Sequence, residues 1–375
     1  MVMLGGIIGS NLSTNQAFAT LPLSMMVVAI AATTIPATML MRKIGRRKGF
    51  ALSSLSCIVA LLTAIFALQQ ESFMLFILAA MLFGINMAFT QQYRYFAAES
   101  VAAKHVPRAI SLVLAGSIGA AFVGKELATR GQYWIDGIQF AGSMIILAVM
   151  FAVQALLFFL MVPAREHDAV ATTKTERSLG QIVCQPVYIV AVLGATAGFG
   201  LMTLVMTATP LSMHVNDGYS LEQTANVIQA HVLAMYVPSL VAGFLIERIG
   251  VTRLMFVGAL GLLATSLVGL QGHTVLHYWW ALVLLGVGWN FLYVGGTTML
   301  TYSYSMAERF RAQAVNEFLV FGMSATASLL AGTVMHFYGW GTLMLIPMPF
   351  LIIICVALIA VRGNSLLLRK GRADA

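Results

Sequence analysis

The sequence predicts an all-α, polytopic membrane protein built from two helical bundles, and three observations carry that expectation. Hydrophobic residues fill 60% of the 375 positions and charged residues only 9%, whereas a soluble domain carries roughly 25% charged residues. Eleven apolar segments come near the ~20 residues that cross ~30 Å of hydrocarbon. Lys and Arg fall almost wholly in short loops on alternate sides of those segments, the pattern that fixes membrane orientation. The net charge of +8 therefore reads as topology. No nucleic-acid partner is expected; membrane lipid is.

Taken in order, Met1–Ser10 is apolar but covers only about half a bilayer at ~1.5 Å per residue. It reads as the outer half of a first helix whose beginning lies upstream. Full spans follow at Ala17–Met41, Gly49–Leu68, Phe73–Phe96, Ala109–Ala128 and Ile138–Val162. A second set comprises Pro186–Met206, Asn226–Ile246, Leu254–Leu270, Tyr278–Thr301, Ala314–Met335 and Thr342–Val361. The first basic loop holds Arg42, Lys43, Arg46, Arg47 and Lys48. With the loops around Lys104, Arg165, Arg248 and Arg309 and the tail Arg362–Arg372, one side receives 18 of the 21 basic residues. That side is expected to be cytoplasmic and to hold the C-terminus, in a bacterial inner membrane. The polar stretch from Pro163 reads as a linker, giving a first bundle at 1–162, the linker at 163–182 and a second bundle at 183–375.

An internal echo supports duplicated halves. Met41–Phe50 (M-R-K-I-G-R-R-K-G-F) recurs as Ile246–Met255 (I-E-R-I-G-V-T-R-L-M), with Gly45 matching Gly250. Pro107-Arg108-Ala109 and Phe310-Arg311-Ala312 repeat at nearly the same offset. Repeats of this kind underlie carriers that alternate access around a midplane site.

The loop Gly243–Arg253 (G-F-L-I-E-R-I-G-V-T-R) resembles the G-x-L-x-[DE]-R-x-G-R-[RK] signature of the major facilitator superfamily (MFS). Gly243, Glu247, Arg248 and Gly250 match it. The first copy, around Gly45 and Arg46, departs from it, with Thr38 at the first glycine and Arg42 at the acid. Tyr93–Glu99, Ile228–Ser239, Leu284–Phe291 and Ala314–Gly322 further resemble a bacterial permease subgroup of that superfamily. The resemblance covers nearly the whole chain. It implies two six-helix bundles related by a pseudo-twofold axis, with close helix approach at the signature glycines and a gating lock made by its charges. It also implies alternating-access transport of a small organic solute, with proton coupling as a candidate and a monomer as the working unit. In such a fold the first and fourth helices of each half line the cavity, which here points to the incomplete first helix, Phe73–Phe96, Pro186–Met206 and Tyr278–Thr301.

Those helices carry polar residues at helical spacing: Asn86, Thr90, Tyr93 and Arg94; Thr196, Thr203 and Thr207; Asn290, Tyr293, Thr297 and Thr301. Polar stripes are costly against lipid, so they face either a wet cavity or another helix. Trp289 and Asn290 lie near mid-depth and are the leading solute contacts, with Tyr293 beside them. The flat faces and the amide suit a small, partly aromatic solute. Arg94 sits at the cytoplasmic rim, where a gating or packing role is favoured over anion binding. His231 is an ionisable residue near mid-depth and the proton-coupling candidate; a neutral, hydrogen-bonded histidine is the alternative. Glu317 reads as lying near the start of its helix. His273 and His277 lack a third ligand, so no metal is expected, and no cofactor motif is visible. Cys57, Cys184 and Cys355 read as small buried hydrophobes. Two rivals to a carrier remain: a membrane-embedded enzyme, for which no nucleophile with its base is apparent, and a non-transporting remnant, suggested by the short first helix and the altered Arg42 loop.

Overall fold

The computed structural model describes residues 2–93, 96, 106–135, 137–161, 177–305 and 308–363, and every regular element among them is helical. The first half comprises α1 (Val2–Leu12), α2 (Leu21–Ile44), α3 (Arg46–Gln69), α4 (Phe73–Thr90), α5 (Val106–Thr129) and α6 (Ala141–Leu160). A short α7 (Leu179–Val183) precedes α8 (Pro186–Pro210), which runs into a wider turn at Leu211–Asn216. Then come α9 (Leu221–Tyr236), α10 (Ser239–Ile249), α11 (Val251–Leu270), α12 (Val275–Thr301), α13 (Arg309–Leu345) and α14 (Pro347–Val361). Nine helical stretches among the described residues are long and apolar enough to cross a membrane, and the stretch Arg311–Val361 contains two of the expected spans. With α5 included, each of the eleven expected segments is helical over most of its length.

The differences from expectation have local causes. The span expected at Asn226–Ile246 begins earlier, at Leu221, and breaks after Tyr236. Pro238 has no N–H to donate to the carbonyl four residues back, so the ladder cannot continue through it. The helix expected from Ala314 begins at Arg309, which puts Glu317 two turns inside it rather than at its start. Gly339 then takes φ 75° and kinks α13, separating the last two spans. Among the cysteines Cys57 is buried, but Cys184 is exposed and Cys355 half-exposed. Cys184 caps the short α7, which lies before the apolar run of α8 rather than inside it.

Gly45 and Gly250 adopt nearly the same backbone geometry, φ 83° and ψ 151° against φ 87° and ψ 150°. Only glycine occupies that region without strain. The sequence echo at these two positions is thus an echo of structure: each glycine ends one helix and starts the next in a single residue.

Lipid gives helices no hydrophobic reason to associate, so contact depends on small side chains and interhelical hydrogen bonds. On α3 one face presents Leu52, Leu55, Val59, Leu62 and Phe66, each at least 42% exposed, a continuous stripe at helical spacing without protein cover. The opposite face buries Gly49, Ser53, Ser54, Cys57, Ala60 and Ala64. Apolar residues thus cover the outer face, while the inner face is mostly small, with Phe50 and Leu61 as its large members. A reciprocal close approach joins α11 and α12. A Cβ built on Gly288 would lie 2.8 Å from the Gly258 carbonyl oxygen, and one on Gly258 would lie 2.9 Å from the Gly288 carbonyl oxygen.

Internal contacts group the chain into two compact units. The first contains Met1–His167, Thr207–Gln229 and Ser328–Phe337; the second contains Asp168–Met206, Ala230–Ala327 and Tyr338–Ala375. The first unit therefore joins the first-half helices to the ends of α8, α9 and α13 that lie away from the basic loops. Ser24 and Ser328 meet there with their hydroxyl oxygens 3.0 Å apart, and Ser10, Thr20, Thr209, Ser212 and Thr224 are buried in the same unit. Hydroxyls lie in this seam beside large hydrophobes, with Leu221 packed on the cluster that holds Leu4 and Ile8.

Candidate functional site

The polar stripe of α4 is consumed by helix packing. The side-chain amide of Asn86 donates to the Ser53 carbonyl of α3 at 2.8 Å. The hydroxyl of Thr90 donates to the carbonyl of Asn86, one turn back, at 3.1 Å. Gln154 of α6 donates its amide to the Tyr93 hydroxyl at 3.1 Å and receives the Ser54 hydroxyl at 3.3 Å. Below this network Tyr93 packs against Phe50 and Phe158, with centroids 4.7 Å and 5.5 Å away. Asn86 thus ties α4 to α3, and Tyr93, just past the end of α4, is tied to α6, whereas the exposed Thr90 bonds within its own helix. Arg94 lies outside the described residues.

The second half differs. Trp289 and Tyr293 of α12 stack with centroids 5.1 Å apart and planes 12° from parallel. Phe199 of α8 meets both rings edge-on, at 5.4 Å and 5.2 Å, and touches Phe321 of α13 at 5.7 Å. Tyr236 of α9 closes the group at 6.2 Å from Trp289. Five rings from four helices converge, and Phe199, Tyr236 and Trp289 each sit close to the midpoint of their own span. Trp289 and Phe321 are buried, whereas Phe199, Tyr236 and Tyr293 keep accessible surface. Three of the five aromatic residues thus remain partly accessible.

The polar residues around the cage divide by whether they find partners. Thr203 donates to the Phe199 carbonyl at 2.8 Å and lies 3.3 Å from the Ser324 hydroxyl of α13, so it ties α8 to α13. Asn290 is buried, and its amide nitrogen donates to the Met235 carbonyl at 2.7 Å, in the turn that Pro238 loosens. Part of its role is therefore to satisfy a backbone group beside the break in α9–α10. Its Oδ1, together with the indole N–H of Trp289 and the Thr196 hydroxyl, is buried without a hydrogen-bond partner among the described residues. Buried polar groups are rarely left so.

His231 is fully buried, with Nδ1 2.8 Å from the Leu282 carbonyl. A carbonyl only accepts, so Nδ1 carries the proton and donates, and Nε2 is left without a partner among the described residues. The ring links α9 to α12 one turn from the Asn290 contact. A latch and a proton carrier separate here. Asparagine can place its amide nitrogen where Nδ1 stood, whereas the glutamine side chain overreaches that position. We expect His231→Asn to retain at least half of wild-type transport and His231→Gln to lose most of it, read as initial uptake rates at equal protein. Loss in both, with a flattened pH profile in His231→Asn, would favour proton transfer through Nε2.

On the basic-loop side, Gly45 and Gly250 form the sharp turns described above. The Arg46 side chain is half-buried, and its neighbour Arg47 donates to the Met161 carbonyl at 2.8 Å, placing positive charge on the carbonyl end of α6. Arg248 is exposed, its guanidinium 4.9 Å from the ring of Phe244 on its own helix. A Cβ added at Gly243 would meet nothing within 4 Å, so the close helix approach implied for that glycine is not made there. The Glu247 side chain lies outside the described residues.

A stronger charge contact, unforeseen from the sequence, joins Arg177 to Glu308. The buried carboxylate accepts from Arg177 Nε at 2.9 Å, Nη2 at 2.7 Å and its backbone N–H at 3.0 Å, and from the Ser305 N–H at 2.8 Å. Arg177 Nη2 and Gln185 both donate to the Ser303 carbonyl. The Arg177 guanidinium holds the Glu308 carboxyl well below the usual carboxylate range, against the opposing effect of burial. A depressed pKa means the pair's contribution is complete above the ordinary glutamate value of about 4.3 and is lost only as pH falls below it. The melting-temperature difference between wild type and Arg177→Ala in detergent should therefore be constant from pH 6 to pH 8 and shrink below about pH 4. A difference that changes across neutral pH would contradict this assignment.

Comparison with known proteins places these features in context. The Major Facilitator Superfamily family model matches residues 1–230. The chain is 37% identical over 360 residues to the riboflavin transporter RfnT of Brucella anthropi, covering 96% of this chain and 90% of that protein. Among solved structures, the nucleoside transporter NupG superposes with a TM-score of 0.72 at 14% identity, over 96% of this chain and 95% of that one. The E. coli fucose:proton symporter FucP superposes with a TM-score of 0.59 at 16% identity, over 97% and 96%.

Proposed function

Since the chain belongs to the major facilitator superfamily and so moves a small solute across a membrane, we propose that this solute is riboflavin or a closely similar planar heteroaromatic compound. The observation that carries the reading is the cage of Phe199, Tyr236, Trp289, Tyr293 and Phe321, with three rings still accessible. A flat ring system gains stacking energy there that a sugar or an amino acid would not. The similarity to a riboflavin transporter over nearly the whole chain supports the same solute class. Trp289, Tyr293 and Thr196 are the solute contacts in this reading, Thr203 and Asn290 hold the site's walls, Asn86 ties α4 to α3, and the exposed Thr90 is a further candidate contact in the first half. His231 is the residue through which proton coupling, if the carrier uses it, would run.

The protein acts as a carrier rather than an enzyme, working as a monomer in the bacterial inner membrane with its basic loops and C-terminus in the cytoplasm. The positive-inside distribution supports that orientation. The hydroxyl seam at Ser24 and Ser328 is the contact that opens and closes in the cycle. Bonds of this kind suit a reversible seam, because water replaces them when it parts. The test is uptake of labelled riboflavin by riboflavin-auxotrophic cells expressing this chain, with an imposed pH gradient as the second variable. Growth and uptake at low micromolar riboflavin are expected; expressed protein that supports neither would refute the solute assignment.

A further inference from the structure

We infer that the indole N–H of Trp289 and the hydroxyl of Thr196 recognise a hydrogen-bond acceptor on the edge of the bound ring system. The carrier then selects heteroaromatic solutes with ring carbonyls or ring nitrogens over carbocycles of the same outline. This rests on the proposed solute class and says how the same site reads it.

The two groups stand out against their own kind in this chain. Thr34, Thr63, Thr203, Thr265 and Thr298 each donate to the carbonyl four residues back, at 2.8–3.1 Å. That bond is what a threonine makes by default inside a membrane helix. Thr196 makes no such bond, although its Oγ1 is buried. Trp340, buried in the same unit, donates its indole N–H to the Gly269 carbonyl at 3.0 Å; Trp289, equally buried, donates to nothing among the described residues. An indole N–H can only donate, so the missing partner must be an acceptor.

The two orphans also belong to one place. Trp289 touches the ring of Phe199, and Thr196 lies three residues before Phe199 on α8, on the same helix face. A solute stacked in the cage would present its edge to both. Leaving a buried donor unpaired costs about as much as a hydrogen bond gains when formed, so the empty site is penalised and a matching edge removes the penalty.

The experiment measures binding to purified protein in detergent. Riboflavin is followed by quenching of its fluorescence, and 2-hydroxymethylanthracene, a three-ring compound without ring heteroatoms, by displacement. Wild type is expected to prefer riboflavin at least tenfold. Trp289→Phe keeps a stacking ring but removes the N–H, and should raise the Kd for riboflavin about tenfold more than that for the anthracene, which loses only the smaller ring's share of stacking. Thr196→Val, nearly isosteric, should show the same selectivity with a smaller change. Unchanged riboflavin affinity in both variants would overturn the inference while the solute class stands. An equal loss for both compounds would overturn it too, since that is the signature of damaged packing. Wild type that binds neither compound would remove the inference together with the reading beneath it.

Discussion

Replacing Trp289 by alanine is expected to lower riboflavin uptake at sub-saturating concentration about 30- to 100-fold, with the amount of protein in the membrane unchanged. The ring is the centre of the cage: it stacks on Tyr293 and meets Phe199 and Tyr236. Stacking a planar base on one aromatic side chain contributes about 1–3 kcal/mol, and each ~1.4 kcal/mol is tenfold in affinity. Removing it also frees Tyr293 and Phe199 to move. The loss should appear mainly in KM, because the seam proposed to open and close in the cycle involves other residues, Ser24 and Ser328. A variant with normal KM and reduced Vmax would place Trp289 in the machinery of the cycle instead.

Gly288→Leu should abolish folding where Gly243→Ala is silent. At Gly288 a Cβ would meet the Gly258 carbonyl at 2.8 Å and Leu262 at 2.9 Å. A backbone oxygen cannot rotate away, so α11 and α12 must separate. Overpacking costs about 1–3 kcal/mol where side chains can shift and more where they cannot, out of a total stability of about 5–15 kcal/mol. We expect monodisperse protein from detergent extracts at under about a tenth of the wild-type yield. Gly243 has open space, so alanine there should change neither yield nor transport. Equal yields for the two variants would show that the α11–α12 contact is not held by glycine approach.

The fold was legible because the membrane leaves few solutions. An apolar run near twenty residues must satisfy its own backbone and so must be a helix, which is why each expected span is found helical. Helix ends were less legible: the early start of α13 at Arg309 lies in polar sequence beyond the apolar run, and the break after Tyr236 followed from Pro238, which hydropathy alone does not weigh. The site was legible in part. Reading the sequence singled out Trp289, Tyr293 and Thr196, which the proposed site uses, but it gave Asn86 the same weight, because a polar group facing a neighbouring helix and one facing a cavity look alike in sequence. Only the Asn86–Ser53 bond separates them. Phe199, Tyr236 and Phe321 were missed because aromatic residues in a membrane helix read as ordinary bulk. A search for aromatics at the midpoint of each span would have found Phe199 and Tyr236. The Arg177–Glu308 pair joins residues 131 apart, and nothing in local pattern connects them.

The most direct test of the central claim is counterflow in liposomes containing only this purified protein. Vesicles are loaded with millimolar unlabelled riboflavin and diluted into a trace of labelled riboflavin, so that exchange needs neither an ion gradient nor any other protein. The account predicts transient accumulation of label above its equilibrium level, lost with Trp289→Ala. Label that enters no faster than into protein-free liposomes, from protein shown to be folded, would contradict it.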